Sequence, residues 1–265
     1  MQEWQADFLK ITPIFSDLHH LLIKKHWLDW PSCHTLNGLI PESAINYEGK
    51  KLTLVEQTPE LLADGLYYEQ RIYQQGIVPT RSNNWHDFFN ALIYLLFPMT
   101  KREMNRLHVK HIEDSDSKKR SACRDAITLL DECGVIIAHC DDELAYDLQH
   151  HRWQAAFVDK RHAWGNTASA VMIGHANYEK SLKPYIGFTG KALYLKVTPD
   201  FFSMNMWDKY HYLDTMLSNN LELLLQDNSR LFPLPILGVP GWCDDNENSE
   251  FYENIQYFRP KRKSK

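Results

Sequence analysis

The sequence has no C-x-x-C pair, no apolar run of membrane length and no excess of basic charge. Each absence removes a class of protein. The five cysteines, Cys33, Cys123, Cys133, Cys140 and Cys243, are odd in number and widely spaced. Zinc ribbons and disulfide-dense secreted domains look different, so free thiols in a reducing compartment are expected. His139-Cys140 beside Cys133 and Cys123 supports only a weak zinc reading. The longest apolar run, Ala91 to Phe97, stops at Pro98. A membrane helix needs about 20 such residues. The first residues carry Glu3 and Asp7 rather than a basic-then-apolar leader, so a cytoplasmic location away from membranes is expected.

The formal net charge is −5 and the pI about 6.2. Broad attraction to nucleic acid needs a basic domain or a dense basic patch. Nucleic acid is therefore not an expected partner. The one basic cluster, Arg259, Lys261, Arg262, Lys263 and Lys265, reads as a solvated tail. Also missing are G-x-x-x-x-G-K-[ST], G-x-G-x-x-G and G-x-S-x-G, which lowers the weight of nucleotide-dependent enzymes and serine hydrolases. There is no internal repeat, low-complexity tract or Gly/Ser linker.

What is present suits a packed core. Hydrophobic residues make up 44% of the 265, with eight tryptophans and thirteen histidines. The length fits one large domain over residues 1–265, with a core from about 15 to 260 and the tail at 259–265. Two closely packed lobes fit it as well. Helical spacing is expected from Phe15, from Asn83 or Asn84 to Phe97, from Lys101 to His111, and from Asp208 to Leu225. The Thr100-Lys101-Arg102-Glu103 run fits a capping box. Strands are expected at Lys51–Val55, Leu66–Tyr73 and Gly190–Val197. Ala126–Leu130 and Val135–Ala138, around Asp131-Glu132-Cys133-Gly134, read as a β-hairpin. Glu113–Ser121 reads as a charged exposed loop. Helices mixed with hairpin-like strands, without βαβ regularity, predict an α+β fold: mainly helical, with a small mixed or antiparallel sheet.

Four segments could carry chemistry. In the Asn83–Asn90 segment, His86 and Asn90 share a helix face and could orient a substrate or hold a metal. Ordinary capping explains the same pattern and is the favoured reading. Arg124-Asp125 and Asp131-Glu132 could offer carboxylate oxygens to a hard cation, although turn aspartates more often bond their own backbone. In Gly174-His175-Ala176-Asn177-Tyr178-Glu179-Lys180, His175 could act as base or ligand with Glu179 one turn away. The plainer alternative is a capped helix with an internal ion pair. Gly174 would let something approach the backbone closely. The proline-rich Pro233–Trp242 segment could wall a pocket through Trp242, or could lash the C-terminal segment across the core. Lashing is favoured.

These blocks resemble a family. Arg81, residues 84–92, Phe97-Pro98, Lys101, Asn105 and His108, then Arg124-Asp125-Ala126 with Leu130-Asp131-Glu132 and Gly134, then Gly174-His175-Ala176 with Glu179-Lys180, and Leu234-Pro235 through Trp242, are similar to a bacterial family of unknown function, DUF3025. The resemblance runs from about Phe15 to Pro260. It implies a bacterial, cytosolic, single-domain protein and supplies no activity, cofactor or catalytic residue. Where Cys133-Gly134 stands here, the family commonly has Asn-Gly. The resemblance thus implies that Cys133 is not an essential thiol.

Two main functions follow as expectations. One is a hydrolase-type or metal-assisted enzyme with a His/carboxylate pocket. Its catalytic groups would come from His175, Glu179, Asp131 and Asp125, with His86, Asn90, Lys101, His108, Arg124 and Trp242 binding. The other is a non-catalytic module for a small ligand or a protein. A nucleic-acid-associated role ranks last. The sequence names no cofactor and leaves the identity of any metal open.

Overall fold

The helices are α1 (Ser16–Leu22), α2 (Cys33–Asn37), α3 (Pro59–Leu62), α4 (Tyr68–Gln75), α5 (Trp85–Leu96), α6 (Pro98–Glu113), α7 (Ala122–Cys133), α8 (Asp142–Gln149), α9 (His175–Ser181) and α10 (Met206–Leu224). The strands are β1 (Thr53–Glu56), β2 (Ile77–Thr80), β3 (Gly134–His139), β4 (Ala168–Met172), β5 (Thr189–Lys196) and β6 (Phe232–Pro235). These come from a computed structural model that describes residues 2–22, 24–25, 27–113 and 121–261. Most of the expected loop at Glu113–Ser121, and Arg262, Lys263 and Lys265 of the tail, lie outside the described residues. The class is α+β, mainly helical, as the sequence predicts. Among the described residues no helix is long and apolar enough to cross a membrane.

The chain divides into two compact units. The first comprises Met1–Ala6, Lys24–Thr128 and Tyr210–Asn228. Here β1 and β2 pair in parallel, Thr53 opposite Ile77. The strand expected at Leu66–Tyr73 is instead helix α4. Its buried residues, Arg71 and Ile72, lie together on one helical face, and Gly76 ends it in a left-handed conformation. Asn84 caps α5, its side chain accepting from the Asp87 amide at 3.0 Å. Phe88, Phe89, Leu92, Ile93 and Leu96 then turn inward. Trp4 stacks on Trp85 with ring centroids 4.7 Å apart.

Helix α6 begins at Pro98 rather than Lys101. Proline is at home in the first helical turn, where its missing amide costs nothing. The expected Thr100–Glu103 capping box is not what caps it. Asp214, from α10, accepts the Met99 and Thr100 amides at 3.0 and 2.7 Å. Glu103 pairs with Arg106 at 2.6 Å.

The second unit comprises Asp7–Ile23, Leu129–Lys209 and Ser229–Lys265. Its sheet has the order β4-β3-β5-β6. β3 runs antiparallel to β4, Val135 opposite Met172, and parallel to β5, Val135 opposite Ala192. β6 closes the row antiparallel to β5. Val135, Ile136, Ile137 and Ala138 are all fully buried, as an interior strand covered on both faces requires.

The expected hairpin around Asp131–Gly134 is absent. α7 ends at Cys133 and β3 starts at Gly134, with no loop between them. Ala126, Ile127 and Leu130 are spaced i, i+1, i+4, so one helical face buries all three. Asp131 and Glu132 therefore stand on the last turn of a helix, not in a β-turn.

The C-terminal segment is lashed down. Asn246 Nδ2 donates to the Leu237 and Val239 carbonyls, both at 2.8 Å. Tyr257 Oη donates to the Phe188 carbonyl at 2.6 Å and accepts the Leu237 amide at 3.0 Å.

Candidate functional site

His175 is the first residue of α9, and glycines set where it stands. A Cβ on Gly174 would lie 2.4 Å from the Gly134 amide nitrogen and 2.6 Å from the Glu132 carbonyl oxygen. A Cβ on Gly134 would lie 2.3 Å from the Leu130 carbonyl oxygen. Real side chains do not fit at such distances, so both positions need glycine. The close approach that Gly174 was expected to permit is thus made by the chain's own α7–β3 junction. The Gly174 amide donates to the Gly134 carbonyl at 2.9 Å. Asn177 Nδ2 donates to the Cys133 carbonyl at 2.8 Å. Tyr178 Oη donates to the Met172 carbonyl at 3.3 Å, and its ring stacks on Phe15.

This pinning sets the His175 ring against the end of α7. Nδ1 is 3.8 Å from Asp131 Oδ1, and Nε2 is 3.6 Å from Glu132 Oε2. His175 is 3% exposed. The Asp131 and Glu132 side chains are 21% and 37% exposed, so the pair of acids faces water while the imidazole is held behind them. An imidazole flanked by carboxylates can take a proton, be oriented through one nitrogen, or share a cation. Two donors about 2.1 Å from a tetrahedral ion lie about 3.4 Å apart, close to the Nε2–Oε2 spacing. Cys133, next in the chain, is pushed up in pKa, first by burial and then by the Glu132 charge, against the pull of Lys180. That is the opposite of an activated thiol.

Glu179 lies one turn along α9, half-buried. Trp242 is 8% exposed and sits in the lashed C-terminal region. The other candidates belong to the first unit. His86 is half-buried on the first turn of α5. Its neighbour Asp87 is engaged by Arg81, accepting from the backbone amide at 2.6 Å and from the guanidinium at 3.0 and 2.7 Å. Asn90 accepts from Lys101 Nζ at 2.9 Å and donates to Tyr68 Oη at 3.1 Å. Lys101 is 4% exposed, its ammonium 4.7 Å from the Tyr94 ring centre. His108 is buried in α6. Arg124 is half-buried and Asp125 exposed on the opening turn of α7.

The sequence blocks thus bring His175 to Asp131, and Asn90 to Lys101. Glu132 is the group that sequence reasoning undervalued. With a hairpin assumed, its side chain had no defined direction. A helical turn ending at Cys133 gives it one.

A family model described as a protein of unknown function, DUF3025, matches residues 52–262. The chain belongs to the DUF3025 family. The matched span of the DUF3025 model takes in every candidate residue from His86 to Trp242. No curated protein and no solved structure matches the chain.

Proposed function

We propose that the second unit carries a metal-assisted hydrolytic centre, in which His175 Nε2 and Glu132 share a divalent cation and the Asp131 carboxylate adds negative charge beside Nδ1. The observation that supports this is the buried His175 ring with a carboxylate oxygen within 4 Å of each of its nitrogens. At 3.8 Å the Asp131 carboxylate acts on the site by charge rather than by a hydrogen bond, and two nearby carboxylates favour a bound cation. With two protein ligands, the other coordination positions fall to water and substrate. A cation there would polarise a bound water and supply a nucleophile near neutral pH. Glu179 is an outer acid in this reading, and Asp125 receives no role. The compartment we propose is the reducing cytosol, in keeping with five free thiols.

The test strips the purified protein with chelator and restores Zn²⁺ or Mn²⁺ in turn. Hydrolysis of p-nitrophenyl esters and phosphodiesters is then followed. Activity should require the cation and fall by about 100-fold or more in E132Q, whose side chain is partly in water and whose loss should leave the fold intact. No hydrolysis with either ion removes the enzyme. Activity that survives chelation, or is unchanged in E132Q, removes this centre. The rival reading, a binding module, is favoured by a separate cavity in the same unit.

A further inference from the structure

A cavity of about 570 Å³ opens beside β6, and neither His175, Asp131 nor Glu132 lines it. Its walls come from four stretches of the second unit: Gln149 to Trp153, Gly187 to Thr189, Phe232 to Pro235, and Gln256 to Lys261. The size lies within the ~300–1,000 Å³ usual for small-molecule sites. Phe232, Pro233, Pro235, Trp153 and Tyr257 make the body of the lining apolar and aromatic.

The wall is built stiffly. Trp153 Nε1 donates to the Arg259 carbonyl at 2.8 Å. Its ring stacks on Phe157 at 5.8 Å with an interplanar angle of 8°, and on His151 at 4.9 Å. Phe157 lies in a π-helical turn, Ala155–Asp159, a rare form of helix that recurs at functional sites. His151 lies at φ 56°, in the left-handed region that non-glycine residues seldom occupy. Its Nδ1 is 3.3 Å from the same Arg259 carbonyl. One backbone oxygen therefore fixes two aromatic side chains and the start of the C-terminal basic stretch. Strained residues held this way cluster at ligand clamps.

Charge selects the ligand. The lining includes Arg259 and Lys261 but no aspartate or glutamate, in a chain whose net charge is −5. Both cations are exposed at the mouth. Arg259 Nε donates to the Gln256 carbonyl at 2.9 Å, which aligns the guanidinium and spends only one of its donors. Among the described residues neither cation forms an ion pair with a carboxylate. A guanidinium offers paired donors that match a carboxylate.

We infer that this cavity binds a small aromatic carboxylate, its rings against Phe232, Pro233 and Trp153 and its charge between Arg259 and Lys261. The site is distinct from the His175 centre and stands whether or not that centre is catalytic.

The test is calorimetric titration of the full chain with 2-naphthoate and, as the neutral counterpart, 2-naphthalenemethanol. One naphthoate per chain should bind, about tenfold or more tighter than the alcohol. R259A/K261A, which alters two exposed side chains and leaves the Arg259 carbonyl in place, should weaken naphthoate by a similar factor. E132Q should bind it as the parent protein does. No naphthoate binding at millimolar concentration overturns the inference. So does equal binding of acid and alcohol, or undiminished binding by the double variant. Loss of binding in E132Q would place the ligand at the other centre instead.

Discussion

Gly174 donates its amide to the Gly134 carbonyl at 2.9 Å, and neither residue has room for a side chain. This backbone contact sets where His175 stands against the end of α7. Gly174→Ala would press a methyl into backbone atoms that cannot rotate away. A loss of about 2 kcal/mol or more is expected, because overpacking against a fixed backbone leaves only main-chain movement as relief. Urea denaturation reads it directly. A midpoint equal to that of the parent protein would show that α9 does not sit so close to the α7–β3 junction.

Asp214 is 1% exposed and caps α6 through Met99 and Thr100. Asp214→Ala removes an acceptor from two amides, and about 1–2 kcal/mol should be lost at neutral pH. Burial pushes the Asp214 carboxyl above its ordinary value, against the pull of the Thr100 and Met99 hydrogen bonds. The native state therefore keeps this proton to higher pH than the unfolded chain does. Its contribution is full below the unfolded carboxyl pKa of about 3.9 and is lost as pH rises through the native value. Asp214→Asn, which cannot ionise, should flatten the fall in stability over that window. An unchanged slope in Asp214→Asn would show that the carboxyl is not held protonated by its burial.

Tyr257 Oη bridges the Phe188 carbonyl and the Leu237 amide, and both contacts are buried. Tyr257→Phe keeps the ring and strands the Leu237 amide, while the Phe188 carbonyl still accepts the Ile236 amide at 3.0 Å. A cost of about 1–3 kcal/mol is expected, since stranding a buried polar group costs its full desolvation. Equilibrium unfolding of the variant checks the value. A difference within error would mean that the C-terminal segment is not tied to β6 through this hydroxyl.

Parts of this were legible in the sequence because the signal is local. Asn84 as a cap, Pro98 as a boundary and the Leu213–Leu217–Leu221 spacing of α10 each need only a few neighbouring residues. Val135–Ala138 reads as a strand because an interior strand has no polar face. Ala126–Leu130 reads as a strand in the sequence because a short apolar run satisfies both periods, and Asp131-Glu132-Cys133-Gly134 has the composition of a turn. Leu66–Tyr73 misleads likewise: of its β-type residues only Ile72 is buried, beside Arg71, while Tyr67 and Tyr68 are exposed, so no alternating strand face exists there. Asp214 as the cap of α6 has no local signature at all. The pairing of Glu132 with His175 rests on two glycines meeting backbone to backbone, which no spacing rule encodes. The cavity beside β6 draws on four separated stretches, and the positive φ of His151 is visible only in three dimensions.

The most direct measurement of the central claim is calorimetric titration of chelator-treated protein with Zn²⁺ and Mn²⁺, with His175→Gln and Glu132→Gln run beside the parent chain. One ion per chain should bind the parent, with affinity at least about tenfold weaker in each variant, as expected for losing a ligand. A parent protein that takes up neither ion, or variants that bind as tightly as the parent, would contradict the account.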